Sequence, residues 1–232
     1  MKSPAQPAVS PLVFKFLKDL GKNNNRIWFN AQKNTYLAAH NQMIAFADRL
    51  LLEMHKHDLI ETVSGKKSLY RIYADIRFSK AKTPYHTYWS GSFKRATQQL
   101  RGGYYYHLEP GNSYMAGGFF APNPDDLLLI RKELEYNAPE FRKILKAKAS
   151  FFELLPGACL KIAPNGFDPA HPAIDLIRHK QFYLKHRFTD KEVLDPKFVF
   201  TLNKAFKNLR PFFDHMSEIL SGDSNGVPLS ER

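Results

Sequence analysis

Leu69-Tyr70-Arg71-Ile72-Tyr73-Ala74-Asp75-Ile76-Arg77-Phe78 is the stretch that decides the fold class. In an extended backbone successive side chains point to opposite faces. Tyr70, Ile72, Ala74, Ile76 and Phe78 then share one face, and Arg71, Tyr73, Asp75 and Arg77 share the other. This alternation predicts a strand with one side on a core and a polar side carrying two arginines around one carboxylate. Outward from it, residues 88–94, 104–109, 114–120 and 182–188 read as further strands. Glu109-Pro110-Gly111-Asn112 supplies a turn between the third and fourth of these five. Such short connections join neighbouring antiparallel strands.

The flanks have helical spacing. Ser10-Pro11, Asn123-Pro124 and Asp195-Pro196 each place a capping side chain ahead of a proline suited to the first helical turn. Asp125 and Asp126 put negative charge at the positive end of the helix that follows Asn123. A long helix is predicted from about Trp28 to Met54, with Tyr36, Met43, Ala47, Leu50 and Met54 on one stripe. Phe198, Leu202, Ala205, Leu209, Phe212, Met216 and Ile219 make another stripe, which Pro211 is expected to kink or break. The expected architecture is α+β: a mostly antiparallel central sheet flanked by helices from both ends of the chain. One domain is expected over residues 11–220, with tails at 1–10 and 221–232.

Composition limits the function classes. With 232 residues, 44% apolar and 24% charged, the chain can bury a sizeable core. No run of eighteen apolar residues supports a membrane-spanning helix, and prolines interrupt any signal-like apolar stretch near the start. Cys159 is the single cysteine, which suits a reducing, cytoplasmic setting; it reads as a small buried hydrophobe. The net charge of +12 is concentrated: Lys66 to Arg101 holds nine bases and one acid, Asp75, for a local +8. A field of that sign attracts phosphates, nucleic acid or acidic metabolites.

The candidate ligand-binding group is the polar strand face and its continuation: Arg71, Arg77, Lys80, Lys82 and Tyr85, with Tyr105 as a polar wall. Arginine presents a planar fork matched to carboxylate or phosphate oxygens. Thr83-Pro84-Tyr85 turns the chain and is expected to bring Lys82 and His86 towards that face. The competing reading is an internal salt-bridge ladder in which Asp75 and Glu109 neutralise Arg71 and Arg77, and both readings stay open. For acid–base chemistry the candidates are Asp75, His107 and Glu109, the last two sharing a strand face with Tyr105. No metal site is expected, since metal binding needs three or four convergent ligands and no helical histidine pair supplies them. No cofactor is expected either: Gly102-Gly103 and Gly117-Gly118 lack nucleotide-loop spacing and suit close packing in the sheet.

Phe16-Leu17-Lys18-Asp19-Leu20, Asn23-Asn24-Asn25-Arg26-Ile27-Trp28-Phe29 and, above all, Arg71 through Tyr85 resemble the family known as domain of unknown function 2461. Gly103-Tyr104-Tyr105, His107, Glu109, Gly117-Gly118 and Ile130-Arg131 continue the resemblance, which spans residues 12–220. It implies a single domain and brings no activity, substrate or cofactor. Ala74, Ala81 and His86 stand where the family pattern has arginine, an acid and lysine. Three functions follow as expectations. The first is binding of a small, phosphate-bearing anion through Arg71, Arg77 and Lys82. The second is nucleic-acid binding, with Lys94, Arg95 and Arg101 on phosphates and Trp89 or the tyrosines stacking on bases. The third is an enzyme acting on a phosphorylated or carboxylated substrate. Oligomeric state leaves no signal in the sequence.

Overall fold

The computed structural model describes residues 8–75, 77, 83–96, 100–147, 152–154 and 159–222. Of the tails read at 1–10 and 221–232, residues 1–7 and 223–232 lie outside the described residues, as do the strand positions Ile76 and Phe78 and Ser79 to Lys82. Helices α1 (Pro11–Lys22), α2 (Arg26–Ala31), α3 (Lys33–Met54) and α4 (Gly65–Ser68) come first. Strands β1 (Trp89–Lys94), β2 (Gly103–Leu108) and β3 (Ser113–Phe119) follow, then α5 (Pro124–Ala147), β4 (Glu153–Leu154), α6 (Ile174–Ile177) and β5 (Phe182–Phe188). The described chain ends in α7 (Asp190–Val193), α8 (Phe198–Asn208) and α9 (Arg210–Ser221). The strands form one antiparallel sheet in the order β1-β2-β3-β5-β4, with helices before and after it along the chain. The fold is α+β, as the alternation and the helical flanks predict.

The chain divides into two compact units. One is Met1–Phe93 with Tyr105–Met115 and Arg187–Ala205; the other is Lys94–Tyr104 with Ala116–His186 and Phe206–Arg232. In the first unit the α3 stripe is buried as expected, Met43, Ala47, Leu50 and Met54 completely. Phe46 of α3 meets Tyr106 edge-on at 6.1 Å and stacks on Phe198 at 5.9 Å. The predicted long helix is broken at Gln32 (φ −97°, ψ 18°), where the Gln32 amide oxygen accepts the Thr35 hydroxyl at 3.2 Å. In the second unit Phe141, Phe182 and Phe212 pack together, with Phe141 6.2 Å from Phe182 and 6.0 Å from Phe212. Asn123 caps α5 by accepting the Asp126 amide at 2.8 Å. The break expected at Pro211 falls at Leu209, between α8 and α9, so the proline sits in the first turn of α9 where no donor is lost.

Two expectations need correction. Residues 69–75 make no continuous strand; two isolated bridges, Leu69 to Gly91 and Tyr73 to Tyr85, hold them in place. The Ala74 amide reaches the Pro84 carbonyl at 3.0 Å and the His86 amide reaches the Ile72 carbonyl at 2.8 Å. Pro84 has no N–H to return, so the ladder cannot run on. Ile72 is buried as the pattern requires, but Tyr70 is 53% exposed and lies outside the core. Cys159 is also exposed, against the burial expected for it.

The strand turns carry the sharpest sequence constraints. The Asn112 amide closes the turn on the Glu109 carbonyl at 2.9 Å, with Gly111 at φ +79° and open space around it. Gly118 has φ +153°, and a Cβ there would lie 2.2 Å from the Phe182 carbonyl oxygen and 2.5 Å from Tyr183 Cα. Backbone cannot move aside as a side-chain tip can. Gly111→Ala is therefore expected to cost about 1–2 kcal/mol for the positive φ alone. Gly118→Ala adds steric overlap and is expected to cost at least about 3 kcal/mol; urea unfolding of the two variants measures the difference.

Candidate functional site

Asparagine 24 fixes the floor of the site from a loop. Its side-chain amide donates to the Tyr85 carbonyl at 2.8 Å, and its oxygen accepts the Tyr85 amide at 3.1 Å. Phe29 stacks on the Tyr85 ring at 3.9 Å with 11° between planes. Tyr85 is thereby buried to 6% exposure and belongs to the core, not to a ligand surface. Held this way, the backbone at 85–86 pairs with 72–73 and presents His86 beside Arg71.

The result is a cleft of about 330 Å³. Tyr70, Arg71, Tyr73 and Asp75 line one part of it, and His86, Tyr88, Ser90 and Tyr105 line the rest. Arg71, Asp75 and Tyr105 of the sequence candidates thus meet in one place. Arg77 is joined to Asp75 through two bonds, Nε to Oδ1 at 3.0 Å and Nη2 to Oδ2 at 2.7 Å. That hydrogen bond, followed by the Arg77 amide and by the charge of Arg71, holds the Asp75 carboxyl below its ordinary pKa. Asp75 is accordingly a fixed acceptor, poorly matched to general-base work near neutrality. Arg71 is exposed and forms no ion pair among the described residues. Lys80 and Lys82 lie outside the described residues.

Behind the cleft stands a hydrogen-bonded chain on β2. The Tyr105 hydroxyl is 3.3 Å from His107 Nδ1, and His107 Nε2 is 3.1 Å from Glu109 Oε2. A carboxylate only accepts, so Nε2 is the donor to Glu109, and Nδ1 faces the phenol oxygen. Glu109 is held in turn by Asn112 Nδ2 at 2.8 Å and by Thr87 Oγ1 at 3.2 Å. Burial pushes the Glu109 pKa up, but the hydrogen bonds from Asn112 and His107 outweigh it and the net shift is downward. Burial pushes the Tyr105 phenol well up, so it acts as a donor and not as a phenolate. The imidazole lies against Tyr88 at 4.1 Å and stacks on Tyr114 at 4.7 Å. Glu109 therefore serves His107 and not the arginines, and the predicted salt-bridge ladder reduces to the Asp75–Arg77 pair.

Several assignments for a nucleic-acid surface fall inside the protein. Trp89, Tyr104 and Tyr106 are fully buried, and so is Arg95 at 1% exposure. The Arg95 guanidinium bonds Asp214 at 3.1 Å and the Arg101 carbonyl at 3.1 Å, and lies 4.9 Å from the Phe213 ring centre. Arg101 is paired with Asp126. Among the described residues no group of three or more His, Cys, Asp or Glu converges for a metal. Nor, among the described residues, is any helix long and apolar enough to cross a membrane. Tyr70, Tyr88 and Ser90 escaped sequence reasoning, since strict alternation assigned Tyr70 to the core and gave Tyr88 and Ser90 no distinction.

Residues 12–215 match the family described as conserved hypothetical protein (DUF2461), and the chain belongs to that family. No curated protein and no solved structure gives a significant match.

Burial, and then the positive charge of Arg71, lowers the His86 pKa. A lowered histidine pKa means the unfolded chain takes up protons first, so this group's contribution is present above about pH 6.5 and is lost as pH falls. Titration followed by NMR is expected to place His86 below the ordinary histidine value, and Arg71→Gln is expected to move it upward. An unchanged value in that variant would separate the two side chains electrostatically.

Proposed function

We propose that this DUF2461 protein binds a small anion, a phosphate or carboxylate group, in the cleft around Arg71. The observation that carries this reading is the contrast between two arginines: Arg77 is spent on Asp75, while Arg71 faces the cleft without an ion pair to any described residue. Neighbouring phenols add donors. The Tyr70 oxygen already accepts from Ser92 Oγ at 3.1 Å, and the Tyr73 oxygen accepts from Lys33 Nζ at 3.2 Å. Both O–H groups are thereby left to donate elsewhere, and an anionic oxygen is the natural acceptor. Burial, and then the Arg71 charge, lowers the His86 pKa. A ligand's negative charge would oppose that effect and favour proton uptake on the ring.

A second reading, acid–base catalysis, is favoured by the Tyr105–His107–Glu109 chain. In it Tyr105 takes a proton from a bound substrate as its own phenolic proton passes to His107 Nδ1, and Glu109 orients the ring and stabilises its charged form. Nucleic-acid binding draws less support, because Trp89, Tyr104, Tyr106 and Arg95 are buried and Arg101 is paired, while Lys94 of the residues assigned to it is exposed.

Calorimetric titration with inorganic phosphate tests the proposal. A hydrogen bond to a charged group is worth about 1.5–3 kcal/mol, so Arg71→Ala is expected to weaken binding about tenfold or more. Arg77→Ala is expected to have the smaller effect, because it acts through Asp75. Equal losses, or none, would move the anion away from Arg71. Salt-sensitive binding of an oligonucleotide that ignores Arg71→Ala would favour the nucleic-acid reading instead.

A further inference from the structure

The chemistry of the cleft wall narrows the ligand further. We propose that the cleft takes an acidic monosaccharide, a sugar ring bearing a phosphate or carboxylate; this rests on the anion-binding reading above. Every described side chain lining the cleft ends in a hydrogen-bonding group, and none is aliphatic. A ligand with an apolar tail could cover the ring faces of the five aromatic residues but would leave the polar tips without partners, at about 1–3 kcal/mol for each one left unsatisfied. A ligand with several hydroxyls returns both donors and acceptors.

The wall also asks for both kinds of partner. Arg71 and the Tyr70 and Tyr73 hydroxyls donate, as set out above. Asp75 can only accept, and its three bonds from Arg77 leave a lone-pair site on a carboxylate that offers about four. A bare phosphate ion uses the donors and leaves Asp75 facing like charge. A sugar hydroxyl placed at Asp75 removes that conflict, because it arrives as a donor.

Ring faces complete the match. Tyr70 and Tyr73 flank Arg71 in sequence and are 53% and 43% exposed, so their apolar faces stand open beside a guanidinium. The C–H face of a sugar ring covers such surfaces while its hydroxyls reach outward. The volume, about 330 Å³, lies at the small end of ligand sites, which suits one ring in place of a dinucleotide.

The test is calorimetry on the full chain with inorganic phosphate, n-hexyl phosphate, AMP, a set of aldohexose 6-phosphates and a set of hexuronates at matched ionic strength. At least one sugar acid is expected to bind about tenfold more tightly than inorganic phosphate and n-hexyl phosphate. Asp75→Asn is expected to abolish that advantage, whereas Tyr70→Ala is expected to reduce it. Hexyl phosphate or AMP binding as tightly as every sugar acid would overturn the proposal. Inorganic phosphate bound through Arg71, with no preference for any sugar acid, would overturn it while leaving the anion-binding reading intact. No binding by any anion would remove both.

Discussion

The pleat of β2 is the constraint on which core and cleft both depend. Along Gly103–Leu108 the side chains of Tyr104, Tyr106 and Leu108 are buried, while Tyr105 and His107 look to the other side. Tyr104 packs within its unit against Phe206 at 4.9 Å and Phe213 at 4.8 Å. Tyr106 packs within the other against Phe46 and Phe93, each at 6.1 Å. A slip of one residue would drive His107 into the core and expose Leu108, so burial of one face fixes the register of the other. The hydrogen-bonded chain from Tyr105 to Glu109 inherits its alignment from that packing.

Elements with a strong period were legible from sequence for this reason. The alternation at 104–109 and 182–188 found β2 and β5, and the 3–4 spacing around Met43 and Leu50 found the buried face of α3. Residues 69–75 show where the same logic fails. Their alternation is as regular as that of β2, yet their partner segment contains Pro84, which cannot donate to a ladder, and Tyr70 turns outward to the cleft. The positions that fix the site are local and aperiodic. Asn24 looks like one turn residue among three, and only the fold reveals that it grips Tyr85 sixty-one residues away.

Charge tells a similar story. The +8 of Lys66 to Arg101 is a sum, and a sum conceals which charges are already engaged. Arg95 lies in the interior with an aromatic face, a carboxylate and a backbone carbonyl around it, an arrangement that serves packing. Arg101 and Arg77 have carboxylate partners of their own. For the buried Arg95, breaking its pair would leave uncompensated charge behind, whereas the Arg77–Asp75 pair is exposed and engages Arg77 through its bidentate geometry. Arg71 is distinguished by having no ion pair among the described residues, a property that no residue type or spacing can announce.

The same lack sets the electrostatic character of the cleft. With no ion pair to any described residue, Arg71 adds to burial in lowering the His86 pKa and to the Arg77 hydrogen bonds in lowering that of Asp75. Asp75 cannot relieve Arg71 fully, because Arg77 occupies both of its oxygens. Two guanidiniums thus compete for one carboxylate, and the nearer geometry goes to Arg77. A surface with that imbalance is stable in water, since Arg71 is exposed and well hydrated. Under the anion-binding proposal, a ligand would supply negative charge to Arg71 and replace its hydration with hydrogen bonds of comparable quality. On that proposal the phenols around Arg71 would provide those bonds from positions set by the fold, so the ordering cost of the wall would be met when the protein folds and not when a ligand arrives.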